Sequence, residues 1–383
     1  MRIAMVTDSY HPTRDGVVTS LEITKKGLEG RGHEVFVVAP DPGKKFRMEG
    51  VSYFRAIRFK TYEGYFLPIL PSNKIEIIDS LNIDVIHIHG VAVMALKAML
   101  AARTLKKPVV LTFHTMVGDT MRYYSPIDMP PEMADRLVWI YLRNLLKRAD
   151  AVISPTPSIA TELEENNIRP RGRLAVIPTG TDTARFHPKN DDSHIRKKYG
   201  LDGKKIIVHV GRISYEKNID VAVRALSQLD DDIVMVIVGK GPAKEDLEKL
   251  VKDIGLTERV IFTGFVPDEE LPYYYAAADV AISASKFETQ GLSILEAMSS
   301  GVPVACVSER AFKDIVRDGE NGFIFTDGSD CATAVRKCIN GGQTIKDGAR
   351  RTAERYSIVT AAEEMENLYK EVIVLKKKRL EVK

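Results

Sequence analysis

The sequence is poor in the residues that mark several protein classes. Three cysteines in 383 residues, Cys306, Cys331 and Cys338, exclude a disulfide-built scaffold and fit a reducing cytosol. Cys331 and Cys338 lie seven apart, so one helix face holds both, and a shared core stripe explains them more simply than a redox pair. No apolar run reaches the ~18 residues of a membrane-spanning helix, and the N-terminus meets Asp8 too soon for a signal-peptide core. The expected location is the cytoplasm, with at most peripheral contact from that side of the membrane. A net charge of +3 with mixed signs gives no footprint for nucleic acid. The eight histidines are dispersed. His87 and His89 share a strand face but have no third ligand at zinc spacing, so structural hydrogen bonding is favoured for them. No G-x-S-x-G elbow and no phosphate-binding G-x-x-x-x-G-K-[ST] loop is present.

What is present is alternation. At ~150 residues per domain the length suggests two or three domains, and 44% hydrophobic residues supply their cores. Short aliphatic runs at Arg2–Thr7, Glu34–Ala39, Asp84–His89, Pro108–Thr112 and Ala151–Ser154 alternate with helical patterns, the first from about Gly16 to Glu29. A second series follows at Lys205–Val210, Ile233–Val238, Val260–Phe262, Val280–Ile282 and Val302–Cys306. Such alternation builds right-handed βαβ units and a parallel sheet. Between the series, Ile177–Ser193 has the Pro, Gly, Asp and Asn content of a linker. The fold class is therefore α/β, with two Rossmann-like doubly wound parallel-sheet domains facing across a cleft. Domain boundaries fall at 1–185 and 186–357. A helix over about 358–383 packs back on the first domain, and its basic run Lys376–Arg379 reads as a solvated face.

Several segments carry chemistry. Glu288-Thr-Gln-Gly291-Leu-Ser-Ile-Leu-Glu296 follows a strand and opens a helix near Gly291. Free N–H groups at a helix start seat a phosphate or sugar oxygen, and the two carboxylates flanking that seat suit a ligand with hydroxyls on both sides of a phosphate. The spacing fits equally a helix-end charge at Glu288 and a solvated surface residue at Glu296. Arg212 and Lys217, in the loop after Val210, could clamp a diphosphate or be ordinary surface cations. Val238-Gly-Lys-Gly241-Pro is a weak fragment of a dinucleotide fingerprint, and Gly27-x-x-Gly30-x-Gly32 sits where a helix ends. Asp230–Asp232 precedes a strand on the side away from the ligand edge and reads as a solvated turn rather than a metal triplet. His114 ends its strand on the ligand side.

Together these pieces resemble the large retaining glycosyltransferase family of the two-Rossmann (GT-B) type, family 4. The matching segments are Thr7-Asp-Ser-Tyr-His-Pro with Gly16, Leu111-Thr-Phe-His114, Pro178-Thr-Gly-Thr-Asp182, Gly211-Arg with Glu216-Lys217, Val238-Gly-Lys-Gly-Pro242, Gly264-Phe-Val-Pro, and Glu288-x7-Glu296-Ala-Met with Gly301-x-Pro303. They run in family order along nearly the whole chain. One departure is the first loop, where many members carry two glycines and this chain has only Gly16.

The resemblance implies roles. Glu288 holds a donor-sugar hydroxyl, backbone N–H groups from Gln290 through Gly291 and Leu292 to Ser293 seat sugar and phosphate oxygens, and Glu296 binds the ribose. Arg212 and Lys217 neutralise the diphosphate, the backbone near Val266 touches the base, the Gly16 loop approaches the phosphates, and His114 meets the donor sugar. His114, Arg212, Lys217 and Glu288 are the expected catalytic group. The implied reaction is hexosyl transfer with retention from a UDP- or GDP-sugar, UDP-glucose first and GDP-mannose next, needing no metal or other cofactor. The segment from Phe113 to Tyr124 is similar to the acceptor loop of members that glucosylate diacylglycerol. A mixed basic and aromatic stretch over 44–70 suits an anionic membrane interface. Alternatives are a soluble acceptor, such as a sugar phosphate or oligosaccharide, and a sugar-nucleotide epimerase or hydrolase of the same architecture.

Overall fold

The computed structural model describes residues 1–58, 66–69, 75–114 and 130–382. The chain forms two units, Met1–Gly180 with Ile358–Lys383, and Thr181–Ser357. The division falls a few residues before position 185 because Thr181 already belongs to the second unit. Its N–H donates to the Tyr356 carbonyl at 2.7 Å, and Thr183 and Phe186 offer their carbonyls to Arg350 at 3.1 Å each.

In the first unit the strands are β1 (Arg2–Thr7), β2 (Glu34–Pro40), β3 (Val51–Phe54), a short antiparallel pair β4 (Ala56–Arg58) and β5 (Phe66–Pro68), then β6 (Val85–His89), β7 (Val109–Thr112), β8 (Ala151–Ser154) and β9 (Arg173–Val176). Seven of them form a parallel sheet in the order β3-β2-β1-β6-β7-β8-β9. Alternate residues of each strand go to opposite faces, and both faces of the central strands are covered, which is why β1, β2, β7 and β8 are mainly aliphatic. Ile3, Met5, Val35 and Val37 pack under the helix Gly16–Gly30 and the C-terminal helix Ile358–Glu381. Ala4, Val6, Ile86 and Ile88 pack on the other side with Met94, Ala98, Leu142 and Leu146.

The C-terminal helix buries Met365, Leu368, Tyr369 and Val372, a helical stripe worth up to roughly 6–12 kcal/mol of apolar burial. Its basic run is not simply solvated. Arg379 donates to Asp150 Oδ1 at 2.9 Å and Lys376 lies 3.5 Å from Oδ2, on a carboxylate only 4% exposed. Gly27 faces this helix so closely that a Cβ there would meet Ile358 Cγ2 at 2.9 Å, while Gly30 ends its own helix and Gly32 follows with positive φ.

The second unit contains β10 (Lys205–Val210), β11 (Ile233–Val238), β12 (Val260–Gly264), β13 (Val280–Ser283), β14 (Val304–Val307) and β15 (Gly322–Phe325). They form a parallel sheet in the order β12-β11-β10-β13-β14-β15. Strand order reverses between β1 and β6 in the first unit and between β10 and β13 in the second, and the carboxyl ends of strands at such a point are where doubly wound sheets hold ligands. Cys306, Cys331 and Cys338 are all buried and free, as core packing requires. Asp230–Asp232 forms an exposed turn held by Arg259, which donates to Asp231 Oδ1 and to the Leu229 and Asp230 carbonyls.

Candidate active site

The second unit brings the predicted Lys217 and Glu288 together because β10 and β13 are neighbours. Ile207 pairs with Val280 and Val208 with Ala281, so the loops leaving the two strands emerge side by side. Asn218 reaches across from the first loop to the Ala284 carbonyl at 3.3 Å. Lys217 then meets Glu288 in an ion pair, with the lysine side chain 26% and the carboxylate 22% exposed. Burial pushes the Glu288 carboxyl up, but the Lys217 ammonium and its hydrogen bond more than offset this and hold it below the usual glutamate range. Sequence reasoning gave these two residues separate ligands and did not foresee that they grip each other.

The loop bearing Arg212 is braced by backbone contacts that only glycine permits. Gly239 has φ +145°, and a Cβ there would stand 1.9 Å from the Gly211 carbonyl oxygen; one at Gly241 would stand 2.1 Å from that of Ile213. Ile213 N–H donates to the Lys240 carbonyl at 2.9 Å and Gly211 N–H to that of Val238 at 3.0 Å. The glycines of Val238-Gly-Lys-Gly241 thus serve close backbone packing, which accounts for them without a dinucleotide fingerprint.

Gly291, at φ +81°, turns the chain into the helix Leu292–Ser299, and the cap residue, being glycine, makes no side-chain cap of its own. A Cβ on Gly291 would meet Phe312 Cε1 at 2.7 Å. Gln290 is buried, and Leu292 and Ser293 are half-buried in the first turn. The N–H groups of that turn and the helix dipole there favour an anion. Glu296 lies one turn on and is half-buried rather than solvated, with Tyr275 Oη donating to its Oε2 at 2.8 Å. Burial raises the Glu296 carboxyl to about 7, against the opposing pull of the Tyr275 hydrogen bond and of Arg185. A proton is therefore held more tightly here than in the unfolded chain. By the linkage sign, the protonated form favours the fold below the ordinary glutamate range, and that contribution is lost as pH rises through about 7. If Glu296 accepts ribose hydroxyls it must be ionised, so donor KM is expected to fall as pH rises through neutrality. The Glu296→Gln enzyme should show a higher KM with no such pH dependence; steady-state KM between pH 6 and 8 checks both.

Two further groups at this edge escaped the sequence. Tyr275 is one. The other is His209, buried at the end of β10, whose Nδ1 lies 3.3 Å from the Ile282 carbonyl while its Nε2 has no hydrogen-bond partner among the described residues. Burial, aided by the Lys217 charge, lowers its pKa to about 4 against the opposing Ile282 hydrogen bond and Glu288 charge, so the ring is neutral. Val266, by contrast, is half-buried against the core of the unit, in the loop after β12.

In the first unit, Asp15 caps the helix that opens at Gly16, accepting from the Val17 and Val18 N–H groups at 2.9 Å each. His114 follows β7 and lies with Nε2 3.0 Å from His89 Nδ1. The structural hydrogen bonding expected of His87 and His89 is present, since the two rings contact each other at 3.2 Å. The segment 115–124 and residues 59–65 and 70 of the basic-aromatic stretch lie outside the described residues.

Two doubly wound units, with a cationic loop and a glycine-capped helix start at the switch point of the second, define the class: a GT-B glycosyltransferase that uses a nucleotide sugar. Comparison with known proteins makes this specific. A family model described as Glycosyltransferase Family 4 matches residues 14–185, and one described as Glycosyl transferases group 1 matches residues 191–355. The alpha-monoglucosyldiacylglycerol synthase of Streptococcus pneumoniae is 32% identical over 358 residues, spanning 88% of this chain and 78% of that one. The GDP-mannose-dependent alpha-mannosyltransferase of Mycolicibacterium smegmatis is 30% identical over 385 residues, spanning 97% and 98%. Among solved structures, Anabaena HepE in complex with UDP-glucose shares the fold with a TM-score of 0.78 at 20% identity, over 96% of this chain and 99% of that one. The chain belongs to glycosyltransferase family 4.

Proposed function

We propose that this glycosyltransferase moves glucose from UDP-glucose, with retention and without a metal, to the hydroxyl of a diacylglycerol-type membrane lipid. The observation that carries the proposal is the Lys217–Glu288 pair beside the glycine-capped start of Leu292–Ser299. As the bond between the anomeric carbon and the diphosphate breaks, negative charge grows on the leaving oxygen and the sugar becomes oxocarbenium-like. Lys217, already held in place, and Arg212 stand in for a metal by stabilising that charge together with the helix N-terminus. Glu288 orients the sugar through a hydroxyl, Glu296 accepts from the ribose, and His114 meets the donor sugar. The acceptor hydroxyl attacks from the face the leaving group departs, and its proton passes to a leaving phosphate oxygen.

Glucose and a lipid acceptor are favoured by the relative that is named a monoglucosyldiacylglycerol synthase. The reading includes peripheral docking on the cytoplasmic face, and exposed side chains of the first unit support contact with a lipid surface. Lys44, Lys45 and Arg47, the last paired with Asp41, are exposed next in sequence to Phe46 (46%) and Met48 (42%), and Ile57 (59%) and Leu67 (40%) are exposed opposite each other on β4 and β5. Cations beside exposed apolar side chains suit an anionic lipid surface. Tyr53 and Phe54 of the same stretch instead pack into the unit.

The test is nucleotide release from UDP-glucose and from GDP-mannose in EDTA, with and without vesicles of diacylglycerol in anionic phospholipid. The expected result is UDP release that rises with vesicles, ignores EDTA and yields an α-linked glucolipid. Release that is lost in EDTA and restored by magnesium refutes metal independence, preference for GDP-mannose refutes the donor, and indifference to lipid moves the acceptor to soluble sugars. Failure to float with these vesicles at low salt refutes docking.

A further inference from the structure

The histidine cluster of the first unit is larger than its sequence spacing indicates, because the C-terminal helix completes it. Tyr369 Oη lies 2.6 Å from His87 Nδ1, His87 Nε2 lies 2.7 Å from Thr112 Oγ1, His89 Nε2 lies 3.2 Å from His87 Nδ1, and His89 Nδ1 lies 3.0 Å from His114 Nε2. Tyr369, His87 and His89 are at most 1% exposed. A continuous hydrogen-bonded chain therefore runs from the helix Ile358–Glu381 to His114 at the carboxyl edge of the sheet.

We infer that Tyr369, His87 and His89 are positioning residues that fix His114 as the tautomer protonated on Nε2, so that its Nδ1 acts as a hydrogen-bond acceptor. The direction follows from the one end of the chain with a single choice. Among the described residues His87 Nδ1 is the hydrogen-bond partner of Tyr369 Oη. If the phenol accepted there, its own proton would be buried without an acceptor, so it donates. His87 is then bare on Nδ1 and protonated on Nε2, donating to Thr112. His89 Nε2 cannot face His87 Nδ1 lone pair to lone pair, so it carries a proton and shares that acceptor. His89 Nδ1 is therefore bare, and it accepts from His114 Nε2–H. Neutrality of all three rings is consistent with this order. Burial lowers His87 to about 3, His89 well below the ordinary range and His114 to about 4.

The consequence for catalysis rests on the proposed place of His114 against the donor sugar. A neutral acceptor at that point accepts a hydrogen bond from a sugar hydroxyl and opposes a carboxylate, whose oxygens have no proton to donate. The enzyme should thus favour neutral hexosyl donors over uronosyl ones.

The test is a long-range proton–nitrogen correlation spectrum of the full chain labelled with nitrogen-15 histidine. All three rings should show a protonated Nε2 and a bare Nδ1; a protonated Nδ1 on His114 overturns the inference. Tyr369→Phe keeps the ring but removes the proton that sets the direction. It should shift the His114 nitrogens and raise donor KM about 3–10-fold, as loss of one oriented neutral hydrogen bond does. An unchanged His114 spectrum and KM in that variant also overturns the inference. Thr112→Val, which removes the acceptor for His87 Nε2–H, supplies a second variant with the same expectation. The wild-type spectrum needs no substrate, so an enzyme found to prefer GDP-mannose would correct the donor and leave the tautomer assignment standing.

Discussion

Replacing Lys217 with alanine is expected to lower kcat by ~10²–10³, the effect of deleting one preorganised group that faces developing charge. Lys217 is half-buried and held by Glu288, so its ammonium is already placed before the donor arrives. The loss should be larger in kcat than in donor KM, because charge on the leaving diphosphate is greatest in the transition state. A second signature comes from Glu288. With the lysine gone, the largest opposition to burial is lost and that carboxyl moves up. The acid limb of the pH–rate profile should therefore shift to higher pH in Lys217→Ala. In the wild type the depressed Glu288 carboxyl contributes stability above the ordinary glutamate range, and this is lost as pH falls through its lowered value. Lys217→Arg keeps the charge but changes its shape from a point to a planar fork, so partial recovery is expected. Single-turnover rates across pH measure all three effects. An alanine variant with wild-type turnover would remove Lys217 from the chemistry.

Asp150→Ala should be the most damaging substitution away from the active site. The carboxylate is 4% exposed and accepts from Arg379, Lys376 and the Val109 N–H, which binds it at 3.0 Å. Removing one partner of a buried ion pair costs ~3–5 kcal/mol, because the remaining charges are left desolvated and unpaired. Lys376, with a side chain only 15% exposed, bears most of that penalty. The expected outcome is a Tm lowered by several degrees and early proteolytic cleavage in the C-terminal helix. Asp150→Asn keeps one acceptor for Val109 and should fall between. Equal Tm and protease resistance in both variants would show that the apolar stripe alone holds the helix.

How far the sequence disclosed this protein depends on the kind of signal. Strands buried on both faces, such as Ile233–Val238, are uninterrupted aliphatic runs and are legible as they stand. Strands β3, β9 and β15 escaped because each is four residues long and mixes buried with half-buried or exposed positions, which leaves no period to detect. Lys217 and Glu288 were identifiable as site residues from their loops. Their mutual ion pair was not, since it depends on β10 and β13 being neighbours across 71 residues of chain. The same holds for Tyr369, which meets His87 from 282 residues away. His209 resembles any core histidine until its unpartnered nitrogen is seen.

The return of Ile358–Glu381 to the first unit sets an order of events during synthesis. When Gly180 has been made, the face formed by Ile3, Met5, Val35 and Val37 still lacks the helix bearing Leu368 and Tyr369. The ribosome must first make the whole of Thr181–Ser357, which takes ~10–30 s at ~5–20 residues per second. The earliest unit to emerge is thus the last to be completed, and a nascent chain spends that interval with an apolar face that chaperones can hold. A stop just before Ile358 would therefore injure the unit made of Met1–Gly180 while leaving all of Thr181–Ser357 in place.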